Sequence, residues 1–323
     1  MLEHLDPIFQ QTIFPFEEDF DHRPWLEWFH KYWKISALAS VIYVIVIFSI
    51  KRIMRDRQPF GLRSALVLWS LALAVFSTVC AMRLWRELFR YQGIFGWKAT
   101  MCDAEIGYSG VNGFWSLLFV LSKLPELGDT LFVVLRKQPL IFLHWYHHIT
   151  VLMYSFYSYE MLVAPGRYFI LMNSSVHSIM YSYYAIKASR IVRIPKWINI
   201  CITLIQISQM VVGVIVNLLA YHYRSNGEFC STADSNITVA MLMYASYFVL
   251  FANYFFQAYL AKRSKAVSKR EQNGNVYTNG ISYTNGTSVA NGHASNGASS
   301  LSNGHVTTNG SHSNGSAKVD KTD

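Results

Sequence analysis

The chain has 323 residues, 52% of them hydrophobic and only 15% charged, with a formal net charge of +9. Long apolar runs fill it to about residue 260, and beyond Gln272 it turns polar and repetitive. That division excludes an ordinary soluble enzyme. Because the basic residues sit between the apolar runs, the positive charge calls for no nucleic-acid partner.

The first thirty residues are acidic and aromatic rather than basic and apolar, so no separate signal peptide is expected. Seven segments then approach the roughly 20 residues that cross a ~30 Å hydrocarbon core. They run about 35–50, 64–82, 113–135, 139–158, 165–186, 197–219 and 237–260. The first, second and seventh stand out by hydropathy, whereas the middle four carry polar residues and look like soluble helices taken singly. The fold class predicted is all-α: a polytopic membrane protein of seven transmembrane helices over 34–265. A lumenal segment at 1–33 precedes it, and a disordered cytosolic tail at 266–323, rich in Asn-Gly pairs, follows.

Basic residues set the orientation. Lys51, Arg52, Arg136, Lys137, Lys187, Arg190, Lys262 and Arg263 fall on one side with others, and that side holds the majority. The positive-inside bias therefore predicts a lumenal N-terminus and a cytosolic C-terminus. In this arrangement Asn236-Ile237-Thr238 is a glycosylation sequon in a lumenal loop. Cys102 and Cys230 also fall in lumenal loops, where an oxidising compartment allows a disulfide; the alternative is two free thiols.

His144, His147 and His148 share one helical face within an apolar run. Ionisable groups at such depth are costly and mark functional sites. Glu126, His147, His177 and Gln206 each lie ten residues from a basic residue at the cytosolic end of their segment, a depth of about 15 Å at helical rise. Four segments thus bring polar groups to one level. Lys123, Glu126 and Asp129 form a stripe at i, i+3, i+6, with Pro125 expected to kink the helix. Asn173, His177, Tyr181 and Tyr184 follow helical spacing, as do Thr203, Gln206 and Gln209. A plainer reading makes Lys123–Glu126 a structural ion pair and the glutamines interhelical ties.

Four intramembrane histidines are too few for the several His boxes of a membrane di-iron oxygenase. A single zinc would take three of them and a water, yet the surrounding Asn, Gln and Tyr suit hydrogen bonding to a substrate better, so no metal is expected. The other use is acyl transfer. One imidazole takes an acyl group from a thioester, a second moves protons and amides stabilise the oxyanion. A dry site suits an acyl-imidazole, and an apolar tunnel between helices would hold a fatty chain. A seven-helix transporter or receptor with a polar midplane site is the competing class.

Taken together, Lys123-Leu-Pro-Glu126-Leu-Gly-Asp129-Thr130, His144-x-x-His147-His148, Asn173-x-x-x-His177-x-x-Met180-Tyr181 with Tyr184, and Thr203-x-x-Gln206-x-x-Gln209 resemble the ELO family of very-long-chain fatty-acid elongases. All four motifs occur in the family's order, over roughly residues 30–265. The run Leu143–Val151 is similar to the branch acting on saturated and monounsaturated chains of about palmitate length. The resemblance implies a condensing enzyme, a 3-oxoacyl-CoA synthase of the endoplasmic reticulum. It would join long-chain acyl-CoA and malonyl-CoA with release of CO2 and CoA, using no cofactor. His147 would carry the acyl group, His177 would be its nearest partner, and His144 and His148 would orient the site or move protons. Asn173, Gln206 or Gln209 would serve the enolate oxygen, while Lys123, Glu126, Asp129, Tyr181 and Tyr184 would complete the substrate site. Arg190 and Lys262 are candidates for the CoA phosphates. Membrane lipid, a second copy of the chain and other elongation-cycle enzymes are the further partners implied. Many relatives end in a dilysine retrieval signal, which Lys318-Val-Asp-Lys321-Thr-Asp323 does not match.

Overall fold

A computed structural model describes residues 12–261, so Lys262 and the tail at 266–323 lie outside the described residues. Two short helices, α1 (Pro15–Glu18) and α2 (Arg23–Tyr32), precede α3 (Ile35–Ile53) and the long α4 (Arg63–Cys102), which is interrupted at Gly96, φ 80°. After α5 (Ala104–Tyr108) come α6 (Gly110–Glu126), α7 (Asp129–Leu135), α8 (Phe142–Glu160), α9 (Gly166–Ser189), α10 (Lys196–Ser225) and α11 (Asp234–Phe255). All regular structure among the described residues is helical.

Helices stand over every expected segment, the third in two pieces. Four of them, at Ile35–Asp56, Arg63–Cys102, Lys196–Ser225 and Asp234–Leu260, are long and apolar enough to cross a membrane. The chain is thus a multi-pass membrane protein. The sixth segment differs from expectation, because α10 qualifies on hydropathy alone despite Gln206 and Gln209. Its long apolar remainder outweighs them.

Small residues let α4 and α9 approach closely. Ser70, Ala74, Ser77 and Ala81 are buried along one face of α4, and small residues at helix contacts favour association where no hydrophobic drive exists between helices. Cross-bonds finish the seam: Thr78 to Ser178 at 2.6 Å, Trp85 Nε1 to Ser175 at 3.0 Å, and Cys80 to Ser174 at 3.2 Å. Beyond the expected end at residue 82, α4 continues, and its Arg83 meets the fully buried Glu17 at 3.2 Å, which Trp115 Nε1 also bonds at 2.7 Å. This latch pins the N-terminal segment.

A disulfide joins Cys102 and Cys230, and Ser231 N–H donates to the Cys102 carbonyl at 2.9 Å. One end of the bundle is therefore closed by a covalent tie. The sequon at Asn236 fares differently. Asn236 is 1% exposed; its Nδ2 donates to Ser158 Oγ at 3.0 Å and its Oδ1 accepts from Tyr154 at 3.0 Å. A glycan cannot sit on that nitrogen in the folded chain, so Asn236 is an interhelical clamp between α8 and α11. Enzymatic deglycosylation is expected to leave the intact mass unchanged. Asn236→Ala should destabilise by about 1–3 kcal/mol, the cost of stranding buried partners, read as a lower melting midpoint.

The expected kink follows Pro125: Leu127 and Gly128 keep right-handed helical angles while the bonding tightens to i→i−3. Helix α6 stops at Glu126, and the Gly128 N–H donates to the Pro125 carbonyl at 2.8 Å before α7 begins. A Cβ at Gly128 would stand 3.0 Å from both the Trp69 ring and that carbonyl, so a side chain there would push one of them back by a few tenths of an ångström. The stripe is thereby split. Lys123 and Glu126 face α9 near Asn173, whereas Asp129 stands between Trp69 on α4 and Tyr181 on α9.

Candidate active site

A cavity of about 790 Å³ opens between α3–α4, α7, α8, α9, α10 and α11. Its lining brings together His144, His147, His148, Asp129, Asn173, His177, Tyr181, Tyr184, Gln206 and Gln209, with Arg63, Arg136, Lys187 and Arg190 at its Arg-rich end. A narrower cavity of about 70 Å³ continues toward the disulfide end. It runs along His147, Val151, Tyr154 and Ser158, one face of α8, and on to Gly166 and Tyr108. Four residues line both spaces: His147, Asn173, Gln209 and Met210. They form the shared wall.

Lys123 and Glu126 are absent from both linings, which corrects their assignment to substrate contact. Both are buried, at 2% and 4% exposure. Lys123 Nζ donates to Glu126 at 2.8 and 3.0 Å and to Asn173 Oδ1 at 3.1 Å, and stands 3.9 Å over the Phe119 ring. Ser122 Oγ adds a bond to Glu126 at 2.9 Å. An ammonium can only donate, so the Asn173 atom facing it must be the carbonyl oxygen. The Asn173 amide nitrogen then faces His177 Nε2 at 3.3 Å, which must accept. The His177 hydrogen therefore resides on Nδ1, directed at Glu126 Oε2 3.8 Å away. The ion pair sets an amide, and the amide sets a tautomer. Asn173 keeps its second N–H for the shared wall.

Asp129 does reach the cavity, but its two oxygens are taken at 2.6 Å each by Trp69 Nε1 and the Tyr181 hydroxyl. It holds Tyr181, whose ring meets that of His177 edge-on at 5.3 Å. His147 differs from these. Its ring packs 5.0 Å from that of Tyr247 and 5.7 Å from that of His148, and its nitrogens make no hydrogen bond among the described residues. Gln209 likewise lines both spaces, and its amide makes no hydrogen bond among the described residues, while Gln206 Nε2 contacts Met180 Sδ at 3.3 Å. Among the described residues no group of three or more His, Cys, Asp or Glu side chains is arranged around a metal position.

At the Arg-rich mouth, Arg63 is spent on the Ala188 and Ser189 carbonyls at the end of α9, and Lys137 on the Arg55 and Arg57 carbonyls. Lys187 lies 5.1 Å over the Tyr183 ring, and Arg190 ends α9 in the left-handed region at φ 57°. Trp69, Met210 and Tyr247 escaped sequence reasoning. Each is an apolar or aromatic residue in an apolar helix, and nothing local distinguishes it from packing.

A helical, multi-pass membrane domain with an interior histidine–amide chamber defines the class of site, a polar chamber enclosed by largely apolar helices. The chain matches the model of the ELO, GNS1/SUR4 family over residues 28–267. It is 47% identical over 253 residues to very long chain fatty acid elongase 6 of Gallus gallus, covering 78% of this chain and 95% of the relative. The Drosophila melanogaster protein of the same name is 46% identical over 269 residues, 81% of this chain and 85% of that one. Very long chain fatty acid elongase 3 of Mus musculus is 42% identical over 258 residues, 80% and 93% of the two chains. The chain belongs to the ELO family.

Proposed function

We propose that this fatty-acid elongase joins a long-chain acyl-CoA to malonyl-CoA through an acyl group carried on His147, giving a 3-oxoacyl-CoA two carbons longer. The observation that carries the reading is the wall shared by the two cavities, where an unbonded imidazole stands beside two amides. The wide cavity takes the CoA-bearing heads, and the narrow one, whose lining must part to admit a full chain, guides the hydrocarbon away from the shared wall. From His147 to Ser158 the α8 face offers about 16 Å of path at helical rise.

A His147 ring nitrogen attacks the thioester carbonyl, the C–S bond breaks, and the CoA thiolate takes the proton released from the ring. Malonyl-CoA then loses CO2, and its C2 carbanion attacks the acyl carbon. The C–N bond to His147 breaks, and the ring takes up one proton. The free N–H of Asn173 and the amide of Gln209 serve the oxyanions. Arg136, Lys187 and Arg190, which make no ion pair among the described residues, meet the CoA phosphates. CoA cannot cross the bilayer, so that mouth faces the cytosol; the enzyme then sits in the endoplasmic-reticulum membrane with a lumenal N-terminus and cytosolic C-terminus.

Mass analysis of enzyme held with palmitoyl-CoA and no malonyl-CoA is the direct test. A palmitoyl increment on a peptide containing His147 is expected. No increment, or one confined to a residue other than His147 or His177, refutes the scheme.

A further inference from the structure

We propose that Tyr43 and Thr130 form a hydroxyl relay that positions His144, holding its neutral ring with the hydrogen on Nδ1 and the Nε2 lone pair occupied. The relay's effect on rate rests on the acyl-transfer reading above; the ring's protonation does not.

Tyr43 projects from α3, a helix whose contribution to the site no motif announced. Its hydroxyl lies 2.7 Å from Thr130 Oγ1, and Thr130 Oγ1 lies 2.9 Å from His144 Nε2. Tyr43 is 6% exposed and Thr130 fully buried. Each hydroxyl has a single hydrogen and two lone pairs. The bonds therefore run in one direction or the other unless Thr130 accepts from both neighbours. That arrangement strands the Thr130 hydrogen, for which no further acceptor exists among the described residues. If His144 Nε2–H donated to Thr130 and Thr130 donated to Tyr43, the Tyr43 hydrogen would point into an apolar interior. No other side-chain partner of that hydroxyl exists among the described residues. A stranded buried donor is costly. A phenol is also a better donor than an aliphatic hydroxyl. Run the other way, Tyr43 donates to Thr130 and Thr130 donates to Nε2, so every hydrogen in the relay has an acceptor, and the ring's own N–H is left to the cavity that His144 lines.

This settles what His144 can do. With Nε2 filled, it cannot take a proton or an acyl group there, and Nδ1–H is left as a donor. His177 reaches the same tautomer through Asn173. Two of the four histidines are thus locked by neighbouring donors, Thr130 and Asn173, which leaves His147 open at the shared wall. The His144 ring stands 4.7 Å edge-on to that of His148, so freeing it would disturb the neighbour as well.

The test uses full-length enzyme with 15N-labelled histidine rings in lipid nanodiscs, with His144 assigned through His144→Gln. The parent should show His144 Nε2 without hydrogen but hydrogen-bonded. Thr130→Val and Tyr43→Phe should both shift that resonance and lower kcat about tenfold, the scale of one oriented hydrogen bond, at unchanged KM for acyl-CoA. Thr130→Ser should keep the parental signal and rate. Hydrogen on Nε2 in the parent, or parental kcat in both Thr130→Val and Tyr43→Phe, overturns the relay. Should Thr130→Val fail to fold, Tyr43→Phe, which deletes one oxygen, decides alone. Failure of the acyl scheme appears separately, as the absence of a His147 adduct while the His144 signal stays as described.

Discussion

His147→Ala is expected to abolish condensation, lowering kcat by about 10³-fold or more, as loss of a nucleophile that works with a proton-moving partner does. Labelled CO2 release from malonyl-CoA in the presence of palmitoyl-CoA should fall in parallel, and the acyl increment should vanish. Stability should barely change. The His147 ring gives up no hydrogen bond, and it borders open space on two sides, so truncation widens an existing cavity instead of creating a sealed one. A folded but inert variant therefore separates chemistry from architecture. Steady-state kinetics of the parent should follow a ping-pong pattern, CoA leaving before malonyl-CoA reacts. If His147→Ala condensed at near-parental rate, the acyl group would be passing directly from one CoA to the other. The shared wall would then be only a passage.

Much of this site was legible because polar groups in an apolar segment are costly and so conspicuous. Counting residues from the basic ends put His147, His177 and Gln206 at one depth, and all three line one cavity. Depth carries no information about facing, however. Glu126 lies at a similar count, yet Pro125 and Gly128 end α6 in a turn that aims it at His177 from behind the wall. Lys123 follows it. The Asn236 sequon shows the opposite failure, a valid local pattern on a residue that the α8–α11 contact buries. Tyr43 had no signal at all. One tyrosine in an apolar helix is ordinary, and only the approach of α3 to α7 gives its hydroxyl a partner. Single-sequence reasoning found groups that are expensive where they stand. It missed those whose role depends on which neighbour the fold supplies.

The buried pair behind the wall yields the second large effect. In Lys123→Met, the Glu126 carboxylate stays at 4% exposure with Ser122 as its hydrogen-bond partner and His177 Nδ1 3.8 Å away, but no cation. Removing one member of such a pair costs about 3–5 kcal/mol, read as a large drop in melting midpoint. Glu126→Leu alone should do comparable harm by stranding Lys123. The double variant Lys123→Met with Glu126→Leu removes both charges, and replacing a buried pair by apolar groups is often neutral or better, so its midpoint should return toward the parent's. Its activity should not. Without the ammonium nothing fixes the Asn173 carbonyl, the amide is free to turn over, and His177 loses both the donor at Nε2 and the carboxylate near Nδ1. A stable, slow double variant, with kcat lowered and KM for acyl-CoA preserved, is the expected pattern. Recovery of rate together with stability would reduce the pair to a structural tie and remove the ammonium from the chain of orientation that ends at His177.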